Sequence, residues 1–374
     1  MNNKAVIVGR DHHNALSIVE SLGRKGVHPS FVVLTKYKKC FVGESKYIEN
    51  CWCCSDEESI IETLCRHFDD KTNKAVAYAC DDETAVILDK NHAKLEQFLY
   101  LPTVTKAGTL RDWMQKERMS KLAEEVGMTV PQTWISNNNQ IPDGIEYPII
   151  TKAHSSVEGG KDNLHICYNR EDLERVFSKG HCDVMIIQQY IHKLFEFQFI
   201  GYAGEKTIVI PGRTEIVRPK GIDNTFFLSY DKYDKFYESL AEKAMEFVRR
   251  TGYTGTFSME FLCDKFGDFY FTEMNFRNDG NAICVTEFGV NLPYIMYLDK
   301  TGQDISKEIN PKETKKIWLY PELYSRHIFT GEVGVLEYLR NLHKTNCYTL
   351  YFKDDKKPFW KFIEYAIYKR LKML

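Results

Sequence analysis

A chain of 374 residues with 43% hydrophobic and 27% charged residues has room for roughly two to three domains and an ordinary globular core. Its formal net charge of −2 sets up no basic field, which argues against nucleic acid as a partner. Its 11 cysteines are too few for so long a chain to be a disulfide framework. Cys51, Cys53 and Cys54 crowd together, but no further Cys or His pair follows at zinc spacing, so reduced thiols are expected.

The opening MNNKAVIVGRD lacks the apolar region of a signal peptide, and no apolar run reaches the roughly 18 residues of a membrane span. A cytoplasmic protein is expected. The apolar run Ala5–Val8 ends at Gly9, an apolar-periodic stretch covers His13–Gly26, and a second run covers Phe31–Leu34. This βαβ pattern predicts a parallel sheet with crossover helices. Ala75–Ala79 reads as another buried strand and ends in Cys80-Asp81-Asp82-Glu83. Ligands of open parallel sheets gather beyond the carboxyl ends of the strands, where Gly9-Arg10-Asp11 and Asp81-Asp82-Glu83 both lie. A dinucleotide fingerprint is excluded. The turn after Gly9 lacks the glycine trio, and Thr35-Lys36-Tyr37-Lys38 offers no carboxylate to a ribose.

The pattern changes near residue 105. Lys116–Gly127 reads as a helix closed by glycine, Tyr147–Thr151 as a short strand ending beside Lys152, and residues 155–161 as a polar loop with Gly159 and Gly160. Val184–Tyr190 and Phe197–Tyr202 read as strands flanking His192–Glu196, and Lys232–Arg250 as an amphipathic helix. A lysine beside free backbone N–H groups suits phosphate, although an ordinary surface lysine fits the same pattern.

Thr256–Arg277 carries the most information. Strands Phe257–Cys263 and Phe269–Met274 flank a glycine turn. With Phe266-Gly267 at the tip, Glu260 faces Glu273 and Ser258 faces Asn275. The period of two then puts Glu273, Asn275 and Arg277 on the side of Glu260. Phe257, Met259, Phe261, Phe269, Phe271 and Met274 are expected to cover the other face. Facing carboxylates repel unless a cation lies between them, and carboxylate and amide oxygens suit Mg²⁺. Spacing alone also allows a solvated sheet face.

In order, Lys116, Lys152 after Tyr-Pro-Ile-Ile-Thr, the glycine loop, the Gln-Gln-Tyr-Ile hinge, Glu260 and Glu273-x-Asn275-x-Arg277 resemble the ATP-grasp superfamily over roughly residues 105–300. The Val-Ile-Val-Gly-Arg-Asp opening, Ser45-Lys46-Tyr47 and Asp81-Asp82-Glu83 look most like its carboxylate–amine ligases of the D-aspartate ligase type. The resemblance implies an α/β (α+β) chain: a Rossmann-like pre-ATP-grasp domain (1–105), a two-lobed ATP-grasp domain (106–310) and a C-terminal extension (311–374). It further implies ATP with Mg²⁺ or Mn²⁺ as cofactors, and small-molecule carboxylate and amine substrates. Lys116, Lys152, Gly159 and Gly160 would hold phosphates, the backbone of Gln189 and Ile191 adenine, and Glu196 ribose. Glu260, Glu273 and Asn275 would hold the metal, and Arg277 with Lys152 would act on the reacting groups. Arg218 is a weaker phosphate or carboxylate contact, and Arg213 and Arg218 read equally well as surface charges. The hinge departs from the family pattern at Gln188, where an acidic residue is frequent.

Lys353–Leu374 holds seven Lys or Arg against three Asp or Glu, interleaved with Phe359, Trp360, Phe362, Ile363, Tyr365, Ile367 and Tyr368. A terminal helix docked on its own protein is preferred here over peripheral contact with a membrane face. A homodimer is compatible with the composition.

Overall fold

The computed structural model describes residues 3–37, 39–137, 139–153, 164–179, 184–217, 227–310, 314–321, 328 and 331–371. The first domain is built from β1 (Ala5–Gly9), α1 (His13–Gly23), β2 (Ser30–Leu34), β3 (Cys51–Cys54), α2 (Glu57–His67), β4 (Ala75–Ala79), α3 (Asp82–Lys90) and β5 (Leu99–Tyr100). All pairs are parallel, in the order β3-β2-β1-β4-β5. β1, β2 and β4 are buried at every position, as expected of strands covered by helices on both faces. At the end of β1 a Cβ on Gly9 would lie 1.7 Å from Cys80 Sγ, so only glycine lets the β1 and β4 ends approach this closely.

α4 (Lys116–Glu125) follows, closed by Gly127 at φ +79° as its sequence predicts. A small lobe contains β6 (Thr133–Asn137), β7 (Ile149–Ala153), β8 (His165–Cys167), α5 (Arg170–Lys179) and β9 (Val184–Gln189), with strand order β6-β9-β7-β8. The chain continues through β10 (Lys193–Ala203), β11 (Ile208–Val209), β12 (Arg213–Val217), β13 (Phe227–Asp231), α6 (Lys235–Thr251), β14 (Gly255–Asp264) and β15 (Phe269–Asn275). Then come α7 (Ile283–Phe288), α8 (Leu292–Lys300), β16 (Ile317–Tyr320), α9 (Val335–Lys344), β17 (Cys347–Tyr348) and α10 (Lys357–Leu371). The large sheet runs β15-β14-β10-β12-β13-β16-β17, with β11 beside β10. Phe197, Phe199, Phe257, Phe261 and Phe271 fill its inner face, with Phe197 stacked on Phe261 at 5.1 Å. Each such side chain contributes roughly 1.5–3 kcal/mol by leaving water, which makes this face the rigid floor of the cleft above it.

β10 begins earlier than the sequence reading allows. Glu196 lies inside the strand, opposite Leu262 and Ile216, and not in a loop. The alternation that extends the strand is already visible: Phe195, Phe197 and Phe199 point one way, and Leu194, Glu196 and Gln198 the other.

The terminal helix α10 docks on the first domain. Phe362 meets Phe41 edge-on at 5.4 Å, Lys357 pairs with Glu44 at 2.6 Å, and Asp355 accepts from Ser45 Oγ. Trp360, Ile367 and Tyr368 on its other side are exposed. Among the described residues no helix is long and apolar enough to cross a membrane.

This junction buries Glu20 of α1 completely, 3.3 Å from the Arg24 guanidinium. Loss of hydration pushes its carboxyl up to about 8, and Asp354 and Asp355 add to the shift. A carboxyl whose folded pKa is raised holds its proton more tightly folded than unfolded. Its contribution to stability therefore falls as pH rises from the usual carboxylate range to about 8. Glu20→Gln is expected to flatten the decline of Tm between pH 5 and pH 8; thermal melts across that range check it, and an unchanged slope would contradict it.

Candidate active site

The β14–β15 hairpin pairs Glu260 with Glu273 and Ser258 with Asn275, as the sequence predicts. The route to that register differs from the expected one. Cys263 pairs with Phe269 and Phe261 with Phe271, and a bulge at Thr272 then inserts one extra residue before Glu273. Thr272 Oγ1 donates to Glu260 O at 3.0 Å across the bulge. Strict alternation would have put Phe271 on the side of Glu273. The bulge turns Phe271 into the core together with Met274, while Glu273 and Asn275 face the cleft.

Around Glu260 lies a hydrogen-bonded cluster from four strands and loops. Gln198 Nε2 donates to Glu260 Oε1 at 3.1 Å and Asn275 Nδ2 at 3.3 Å. Arg277 Nη2 donates to Asn275 Oδ1 at 3.1 Å; because a guanidinium only donates, the amide oxygen must face it and the amide nitrogen must face Glu260. The second lone pair of that oxygen remains for a metal. Ser258 Oγ donates to Asp279 Oδ2 at 2.9 Å, and Asn281 Nδ2 to Gln198 Oε1 at 3.2 Å. Burial, then the charges of Glu273 and Asp279, push the Glu260 carboxyl up to about 8. A site that makes a carboxylate this reluctant to ionise favours a cation between the two glutamates, and hard oxygen donors fit Mg²⁺.

Across the cleft stands Lys152 on β7. Ile150 pairs with Gln188, so Lys152 shares that face and reaches Gln188 Oε1 at 2.7 Å, while Gln188 Nε2 donates to Thr133 Oγ1 at 3.0 Å. The departure at Gln188 now has a consequence: an amide orients the ammonium without cancelling its charge. Burial, followed by repulsion from Lys116, lowers the Lys152 pKa to about 8; Glu273 and Glu260 oppose the shift and Lys193 adds to it. Lysines thus confront glutamates across one space. A chain of phosphates with a divalent cation satisfies both sides.

The hinge offers backbone groups. Gln189 N–H donates to Gln132 O at 2.8 Å, and Ile191 O accepts from Lys193 N at 2.8 Å. Glu196 forms an ion pair with Lys193. Arg213 is bound to Glu215 Oε2 at 3.1 Å and lies over the Tyr237 ring, so it belongs to the sheet and not to the cleft. Gly159, Gly160 and Arg218 lie outside the described residues.

Arg277 connects the cluster to the first domain. Its Nε donates to Asp82 Oδ1 at 3.2 Å, and its Nη1 lies 3.5 Å from Asp279 Oδ2. Burial opposes its charge, but Asp82, Asp279, Glu260 and Glu273 outweigh that and keep it cationic. Asn278 N donates to Ala79 O at 3.2 Å, and its Nδ2 to Ser17 Oγ at 2.9 Å. A cleft of about 680 Å³ opens here, lined by Arg10, His12, Lys36, Asp82 and Arg277 among others. Gln198, Lys193, Asp279 and Asn281 were absent from the sequence reading. Asp279 and Asn281 follow Arg277 closely, and that proximity was the one signal available for them.

Residues 113–297 match the family described as carbamoyl-phosphate synthase L chain, ATP binding domain. The fold is similar to that of L-amino acid ligase from Bacillus licheniformis, with 16% identity, a TM-score of 0.66, and 83% of this chain and 78% of that one covered. It is similar also to biotin carboxylase from Campylobacter jejuni, with 17% identity, a TM-score of 0.66, and 84% and 74% covered. These describe the architecture, a two-lobed ATP-grasp fold behind a Rossmann-like domain. The ATP-binding domain match thus takes in just under half of the chain, and the fold is that of ATP-grasp enzymes, a class that uses ATP and Mg²⁺. Among characterised proteins, the 2-oxoglutarate carboxylase small subunit of Hydrogenobacter thermophilus is 29% identical over 160 residues, 38% of this chain and 32% of that protein. The chain thus spans about a third of that relative's length.

Proposed function

We propose that this protein is a carboxylate–amine ligase that forms an acyl phosphate from a small-molecule acid and ATP and passes the acyl group to an amine. The observation that carries the reading is the Glu260–Glu273 pair facing Lys152 across a cleft that Arg277 joins to a second cavity in the first domain. Lys116 and Lys152 hold the phosphates, the Gln189 carbonyl and Ile191 backbone meet adenine, and Glu196 reaches ribose by exchanging its Lys193 partner. Glu260, Glu273 and the free lone pair of Asn275 Oδ1 hold Mg²⁺ or Mn²⁺, which when bound offsets phosphate charge and orients the γ-phosphoryl group.

The rest is positioning. The acid's carboxylate lies beside Arg277 and attacks the γ-phosphorus; ADP leaves and an acyl phosphate remains. The amine adds to its carbonyl carbon from the side of the first domain, Arg277 steadies the charge on oxygen, and phosphate departs. The names of the structural relatives, an amino acid ligase and a biotin carboxylase, support a carboxylate as one substrate. A screen of amino acids and uronic acids, singly and in pairs, for ATP-dependent phosphate release tests the reading. Release is expected only when an acid and an amine are both present. ATP consumption with one substrate alone, leaving a stable phosphorylated product, would assign a kinase-type activity instead.

A further inference from the structure

The ligase reading requires something to take a proton. An amine that attacks an acyl phosphate must lose one, and neither Arg277 nor the lysines can accept it while they hold anions. His12 is the group the structure provides. It follows β1, is exposed, and lines the same cleft as Arg277 and Asp82. Its tautomer follows from its neighbours. Asn14 Nδ2 donates to Cys80 O at 3.0 Å, which turns Asn14 Oδ1 toward the imidazole, 2.9 Å from His12 Nδ1. An amide oxygen only accepts, so this 2.9 Å contact takes the hydrogen of Nδ1 and leaves Nε2 its lone pair. The Asn14 backbone N–H, which caps α1 by pointing at Nδ1 from 3.4 Å, calls for the other tautomer and is the longer and weaker of the two contacts. The ring also packs against His13, with centroids 3.9 Å apart, which restricts its rotation.

We propose that His12 is the general base of the amide-forming step, with Nε2 taking the proton of the attacking amine. This rests on the ligase reading above. In that step the amine nitrogen bonds to the acyl carbon, its N–H proton passes to Nε2, and the carbon–oxygen bond to phosphate breaks with the electron pair leaving on phosphate. The imidazolium then returns its proton to solvent.

The surroundings keep the base ready. Although an edge of the ring is exposed, partial loss of hydration against the cleft wall lowers the His12 pKa, which favours the neutral ring. Arg277, from the loop after β15, acts in the same direction. Asp81, from the end of β4, and Asp11 beside it act against the shift, as does the hydrogen bond to Asn14. His13 is held neutral more strongly, by burial and by His12 itself, and so adds no fixed charge. Asp11 is occupied with Phe41 N at 2.9 Å and Val42 N at 3.1 Å, which leaves it in a loop-anchoring role and not a competing base.

Hydroxylamine provides the test, because it captures acyl phosphates as hydroxamates without a protein base. With the common amino acids supplied as acids, His12→Ala should form amide about 100-fold more slowly than the native protein, still yield hydroxamate, and regain amide formation as imidazole is added. The acid limb of the pH–rate profile should disappear with it. In a second variant, Asn14→Asp, a charge facing Nδ1 raises imidazole basicity, so the acid limb should move to higher pH. Amide formation by His12→Ala within about threefold of native, with its acid limb intact, would overturn the assignment and leave the ligase reading standing. If His12→Ala does not fold, an acid limb that stays in place in Asn14→Asp would overturn it. No hydroxamate from the native protein with any acid would overturn the ligase reading itself, and the inference with it.

Discussion

Replacing Glu273 with glutamine is expected to lower ATP-dependent turnover by about 10²–10³-fold while leaving the fold intact. Glu273 faces Glu260 across the hairpin, and its charge is one reason the Glu260 carboxyl is pushed up to about 8. A neutral amide removes that repulsion, so the protein without nucleotide should melt no lower than native. It also removes a charged oxygen from the place where the cation and the γ-phosphoryl group meet, and a loss of about 3–4 kcal/mol there corresponds to the expected fall in rate. Steady-state phosphate release and a thermal melt measure the two effects separately. A variant with turnover within about twofold of native would remove Glu273 from the reacting centre; a large drop in Tm would make its role structural.

Arg277→Ala should damage both stability and turnover. The guanidinium contacts Asp82 of the first domain, Asn275 of the hairpin and Asp279, and Asp279 is nearly inaccessible to solvent. Removing one partner of a buried ion pair leaves the others uncompensated, at a cost of about 3–5 kcal/mol. Turnover should fall by about 10²–10³-fold through loss of the positive charge beside the transferring groups. Arg277→Lys distinguishes the roles. A lysine keeps the charge but not the planar fork that reaches Asp82 and Asn275 together, so Tm should recover more than turnover does. Full recovery of turnover in the lysine variant would mean that charge alone is needed.

Much of this site was legible because it lies in local patterns. The facing of Glu260 and Glu273 needs only a turn and a period of two, and Lys152 needs only a short apolar strand, although that strand runs past it to Ala153 and does not stop at Thr151. The expected two-residue tip was nevertheless too simple. The hairpin reaches the expected pairing because the Thr272 bulge offsets a longer turn, and nothing in the composition of Phe-Thr-Glu-Met marks where a bulge falls. Glu196 was misplaced for an avoidable reason, since three alternating phenylalanines already extended its strand. Gln198 and Lys193 were out of reach. They join the site through the pairing of β10 with β14, a contact about 60 residues long in sequence that depends on tertiary packing and not on local periodicity. Asp82 lay at the strand end where ligands were expected, but its tie to Arg277 appears only once the two domains are assembled.

Activation of a substrate carboxylate through an acyl phosphate is tested most directly by following the carboxylate oxygen. An acid labelled with heavy oxygen in its carboxylate is incubated with ATP, Mg²⁺, its amine partner and the protein, and the released phosphate is analysed by mass. The account predicts that label from the acid appears in the phosphate, because the amine breaks the carbon–oxygen bond and phosphate carries that oxygen away. Unlabelled phosphate accompanied by amide product would contradict it.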